Sequence, residues 1–192
     1  MKFENLTVGF AVTGSFCTLK KTICRISDLT SEGANVIPIM SEITYNTDTR
    51  FGEAKEFISK IKELTGNEII TTIKDAEPIG PKNILDALII APCTGNTLSK
   101  IALGMTDTCV AMAAKANLRN ENPLIIAVST NDGLGASAQN IARLMNYKNV
   151  YFVPFGQDDA EKKPNSLVAD MSKISETLSY ALCGKQIQPV LK

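Results

Sequence analysis

Short apolar runs alternate with segments of helical period along almost the whole chain, and this alternation limits the fold more than any other feature. Strand-like runs are expected at Thr7–Thr13, Asn35–Met40, Glu68–Ile73, Ala87–Ala91, Leu124–Ser129 and Val150–Val153. Between them Leu19, Ile23, Ile26 and Thr30 recur at helical spacing, as do Ala54, Ile58, Ile61 and Thr65. Leu167, Met171, Ile174, Leu178 and Leu182 form the cleanest stripe of this kind. Stripes of this period face a core. Strands alternating with helices build a parallel sheet covered on both faces, so the pattern predicts an α/β fold of three layers. A chain of 192 residues is most simply one domain, long enough to bury roughly 70% of its unfolded surface.

Ligands in such sheets bind beyond the carboxyl ends of the strands, so the residues there carry the functional reading. Thr13, Gly14 and Ser15 follow the first run, and Ser41 follows the second. Pro92, Cys93, Thr94, Gly95, Asn96 and Thr97 follow the fourth and lead straight into helical sequence. The fifth run ends in Ser129-Thr130-Asn131-Asp132-Gly133-Leu134-Gly135. Small hydroxyls and free amides at helix N-termini favour a phosphate or a flat polar ring. Candidate cofactor contacts are therefore Thr13, Gly14, Ser15, Ser41, Cys93, Thr94, Gly95, Asn96, Thr97 and Asn131. Neither GxGxxG nor GxxxxGK[ST] is present, so this is not a dinucleotide fingerprint or a P-loop.

Composition removes several alternatives. Lysine plus arginine number 20 and aspartate plus glutamate 20, without blocks of like charge, so no nucleic-acid or anionic-membrane partner is indicated. The longest apolar runs, Ala87–Pro92 and Leu124–Val128, are too short to span a bilayer. No signal-peptide pattern opens the chain, so a cytoplasmic location is expected. Histidine is absent, which excludes Ser-His-Asp and Cys-His hydrolysis. The five cysteines, Cys17, Cys24, Cys93, Cys109 and Cys183, include no CxxC pair, so neither a metal site nor a disulfide framework is expected. They read as small buried hydrophobes, Cys93 in the ligand loop excepted.

These residues carry a resemblance. The strand with Thr13-Gly14-Ser15, the following Ser41 and the run Pro92–Thr97 resemble the flavoprotein family of homo-oligomeric flavin-containing cysteine decarboxylases. Pro92, Asn96 and Thr97 match that family's Pro-Ala-Ser-Ala-Asn-Thr motif, and Asn131 stands near its second conserved asparagine. Further matching segments, among them Thr49–Glu53, Met112–Ala116 and Pro154–Asp159, extend nearly end to end. The resemblance implies a Rossmann-like, flavoprotein-type sheet with FMN as cofactor and a homo-oligomeric assembly. It also implies a role beside a second, different polypeptide that carries NADP, in oxidising a dihydropyridine dicarboxylate to the aromatic dicarboxylate of spores. Two departures stand out. Decarboxylation in the family uses a histidine that this chain lacks, and Phe16 replaces a histidine found in related chains beside the phosphate turn.

A small dicarboxylate substrate calls for cations. Arg50 is the first candidate because a guanidinium holds a carboxylate bidentately. Lys115, Arg119, Lys162 and Lys163 follow it. Three readings stay open at this point: a redox-active FMN protein, a non-catalytic ligand-binding partner, and another flavin enzyme of decarboxylase or flavin-prenyltransferase type. Phe51, Phe57 and Met105 suit either a core or an interface between copies.

Overall fold

The computed structural model describes residues 2–192. Its elements run β1 (Thr7–Val12), α1 (Phe16–Ser31), β2 (Asn35–Met40), α2 (Glu42–Asn46), α3 (Ala54–Thr65) and the short α4 (Ile73–Ala76). They continue through β3 (Ala87–Cys93), α5 (Gly95–Ala102), α6 (Cys109–Arg119), β4 (Leu124–Thr130) and α7 (Ala138–Met145). β5 (Val150–Phe152), β6 (Phe155–Asp159), β7 (Lys163–Ala169) and α8 (Ile174–Leu182) close the chain.

β1 and β3 have no solvent-facing side, which is why their sequences are nearly continuous apolar runs. The strands lie in the order β2-β1-β3-β4, all parallel, and β5 adds in parallel to the first half of β4. α1, α3 and α8 pack on one face; α6, flanked by α4 and α5, packs on the other, with α7 beside α5. Leu19, Ile23 and Ile26 of the α1 stripe are buried, whereas α3 buries Ala54, Phe57 and Ile61, with the expected Ile58 and Thr65 only partly buried. No helix among the described residues is long and apolar enough to cross a membrane.

Three expectations need correction. The sheet is mixed rather than wholly parallel, because Phe155–Asp159 and Lys163–Ala169 form an antiparallel hairpin. β7 pairs antiparallel with Ser129 and Thr130, the last residues of β4 beyond the reach of β5. Leu167 is therefore a strand residue, and its helical spacing to Met171 is coincidental. Asp170 caps a short 3-10 turn over Met171–Lys173, and α8 begins only at Ile174. The run Glu68–Ile73 makes a single bridge, Ile70 to Ile39, in place of a strand. That bridge still covers the outer edge of β2: Ile70 N–H donates to Pro38 O and Met40 N–H to Ile70 O, each at 2.9 Å. Thr72 then accepts from Asp75 N–H and starts α4.

The connection from β1 goes to β2 on one side, whereas β3 lies on the other. The chain thus reverses direction across the sheet between β1 and β3. A crevice opens outside the carboxyl ends of strands at such a reversal.

Candidate functional site

A cleft of about 880 Å³ opens at this reversal, within the ~300–1,000 Å³ common for cofactor sites. Its floor comes from the turn after β1, the start of α5 and the end of β4; the β6–β7 hairpin forms one wall.

Thr13 fixes the floor from below. Its buried hydroxyl donates to Pro92 O at 2.7 Å and accepts from Thr94 N–H at 3.1 Å, tying the end of β1 to the cis Ala91–Pro92 turn. Thr94 caps α5 by accepting from Thr97 N–H. The first amides of a helix have no intrahelical acceptor. At α1 the Ser15 side chain does not cap them, and no acidic residue stands in the first turn. Ser15 Oγ instead lies 2.8 Å from Ser129 Oγ and 3.2 Å from Thr18 Oγ1, which is itself 3.3 Å from Ser129 Oγ. Three hydroxyls thus cluster beside an uncapped helix N-terminus, Thr18 Oγ1 also donating to Ser15 O at 2.9 Å, and turned toward a ligand they form a donor set suited to an oxyanion.

The α5 end is different. Asp132 accepts hydrogen bonds from Thr130 and, at 2.8 Å, from Ser137. These hydroxyls hold its carboxyl below the usual carboxylate range, so it is ionised at neutral pH. A Cβ on Gly95 would lie 2.5 Å from Ser137 Oγ, 2.7 Å from Thr130 Oγ1 and 2.8 Å from Asp132 Oδ1. Only glycine lets the α5 backbone approach this polar group. Asn96 and Asn131 are exposed in the cleft beside it.

Of the residues expected from the sequence, Gly14, Ser15, Thr94, Gly95, Asn96, Asn131 and Arg50 line the cleft. Four do not. Thr13 is the buried strut just described, and Thr97 is buried in the first turn of α5. Ser41 bonds Thr44 Oγ1 at 2.8 Å at the start of α2. Cys93 turns inward from a fully buried strand, and burial raises its pKa far above the ordinary thiol value. Cys109 is likewise buried, donates to Met40 O at 3.0 Å and has its pKa pushed up to about 11. Cys17, Cys24 and Cys183 are exposed, against the expectation that they are core residues.

The guanidinium of Arg50 stacks over the Phe51 ring at 4.9 Å and has no carboxylate partner among the described residues. Lys163 lines the cleft, whereas Lys115, Arg119 and Lys162 do not. Phe57 is core, Phe51 lines the cleft, and Met105 is 45% exposed. Sequence reasoning missed Lys21, Thr18 and the wall formed by Ser166, Leu167 and Val168. The wall escapes a pattern search because the hairpin shows no alternation of apolar and polar residues. Thr18 had a usable signal, since the third residue after Ser15 shares its side of a helix, and Lys21 in turn stands three residues after Thr18.

An FMN group fits these residues. The fit rests on the uncapped α1 terminus and its hydroxyl cluster.

Comparison with known proteins identifies the family of this fold. The Flavoprotein family model matches residues 2–180. The dipicolinate synthase B subunit of Bacillus subtilis (strain 168) is 50% identical over 184 residues, covering 96% of this chain and 92% of that protein. The crystal structure of the dipicolinate synthase B subunit from Bacillus halodurans C superposes with a TM-score of 0.92 at 49% identity, covering 100% of this chain and 98% of the other. The FMN-dependent cysteine decarboxylase SpaF shares the fold at 20% identity, with a TM-score of 0.68 over 94% of this chain and 97% of its own. With the family model spanning nearly the whole chain and the cleft at the expected strand ends, the chain belongs to the Flavoprotein family.

Proposed function

We propose that this chain is the FMN-binding component of a dipicolinate synthase. It works with the separate A subunit of that enzyme, which carries NADP, to oxidise dihydrodipicolinate to dipicolinate during sporulation. The observation that carries the reading is the oxyanion-suited cluster of Ser15, Thr18 and Ser129 at the uncapped N-terminus of α1, inside a cleft at the β1–β3 reversal. The identity to the B subunit of Bacillus subtilis supports the substrate and the partner.

When bound, FMN supplies a ring able to accept a hydride. This chain's residues divide the work of holding it. The α1 amides and the three hydroxyls receive the phosphate. The ionised Asp132 would repel a phosphate from the α5 end, leaving the α1 end to hold it. Asn96 and Asn131 offer amide donors and acceptors to the polar edge of the ring. Arg50 and Lys21, both exposed cations of the cleft, take the substrate carboxylates. Exposed Leu103 and Met105 suit contact between copies in a homo-oligomer. The assembly works in the cytoplasm.

Dipicolinate formation by the purified pair of proteins, read by ultraviolet absorbance with and without FMN, tests this. Asn96→Ala is expected to lower flavin stoichiometry and product formation together. Full activity of a flavin-free pair would make this chain a non-redox partner and leave the chemistry to the NADP-carrying protein.

A further inference from the structure

The β6–β7 hairpin brings a charge pair into the cleft. The register of β6 against β7 slips between Gln157 and Asp159, and there the Asp158 carboxylate meets Lys163 Nζ at 2.5 Å. Among the described residues this is the ion pair whose two partners both line the cleft. Its lysine and aspartate side chains are 57% and 39% exposed, and an exposed pair of this kind is weak.

The two cleft carboxylates are engaged differently. Asp132 is held by two hydroxyls, whereas Asp158 has Lys163 as its side-chain partner. Lys163 and Cys17, the second residue of α1, line the same cleft. The Lys163 ammonium therefore shares the cleft with the helix end that suits an oxyanion. Among the described residues, Lys21 and Arg50 have no carboxylate partner and can bind without rearrangement.

We infer that Lys163 determines ligand specificity by partner exchange: it gives up Asp158 to bind an oxyanion of the ligand in this cleft. The inference rests on the cleft being the ligand site proposed above. Asp158 then acts as a competitor built into the hairpin: an oxyanion ligand must displace it from Lys163, and a ligand without an oxyanion gains nothing from the lysine. The oxyanion comes either from a phosphate ester or from a pyridine carboxylate, and paired probes separate the two.

Equilibrium titrations of the full chain with FMN, riboflavin, dipicolinate and picolinate provide the test. Asp158→Asn is expected to tighten the responding probe about threefold. Lys163→Met is expected to weaken it about tenfold. The double variant should match Lys163→Met alone, because Asp158 acts only through the lysine. If FMN responds and riboflavin does not, the phosphate is the partner; if dipicolinate responds more than picolinate, a carboxylate is. FMN and dipicolinate binding unchanged in both single variants would overturn the inference and leave the cofactor assignment standing. A Lys163-dependent dipicolinate response without FMN binding would support the inference and overturn the cofactor assignment. Binding of none of the probes would overturn both.

Discussion

At the scale of single residues, Gly95 is the least replaceable position in the cleft. Its missing Cβ makes room for Ser137, Thr130 and Asp132, none of which is the free end of a long side chain. Gly95→Ala should cost about 1–3 kcal/mol, seen as a lowered Tm, and should weaken flavin binding at the same time. Thiol accessibility is equally specific. Cys17, Cys24 and Cys183 should react readily with a thiol reagent in the native protein, while Cys93 and Cys109 react only on unfolding. Asp132 adds a pH signature. Its folded pKa is lowered, so its stabilising contribution is present above the unfolded value of 3.8 and is lost as pH falls through the folded pKa. Asp132→Asn should therefore lower Tm at neutral pH, with the gap to the natural protein closing in acid. Residue types at the site were legible in the sequence, but their direction was not. Cys93 and Thr97 sit within the motif yet turn into the core, because strand and helix geometry send neighbours to opposite sides.

Among the elements, the joint between β1 and β3 carries the site. The Thr13 hydroxyl both donates to Pro92 O and accepts from Thr94 N–H while 1% exposed. Thr13→Val keeps the shape, removes both bonds and leaves two backbone groups unsatisfied. A stability loss of about 1–3 kcal/mol is expected by denaturant titration, with flavin affinity falling because the α5 start is no longer anchored. The parallel strands were legible because burial on both faces demands apolar runs such as Leu88–Ala91. The hairpin was not. Lys163, Pro164 and Asn165 are exposed and show no alternation, and Pro164 argues against a strand except at an edge. Leu167 is buried from that strand by contact with Gly133, where a Cβ would lie 2.5 Å from Leu167 Cγ. That contact joins distant segments, so no local pattern announces it.

For the whole molecule, strand order decides where function sits. The β2-β1-β3-β4 order places the reversal between β1 and β3, and two helix N-termini of unlike character meet there. The α1 end is uncapped and ringed by hydroxyls, while the α5 end is capped by Thr94 and faces an ionised aspartate. This asymmetry gives the central claim a direct measurement: parallel titrations of FMN and riboflavin into the purified chain, followed by flavin fluorescence. Saturable binding of one FMN per chain is expected, at least about tenfold tighter than riboflavin, with that preference abolished by Ser15→Asp. Equal affinity for FMN and riboflavin, or a preference that survives Ser15→Asp, would contradict it.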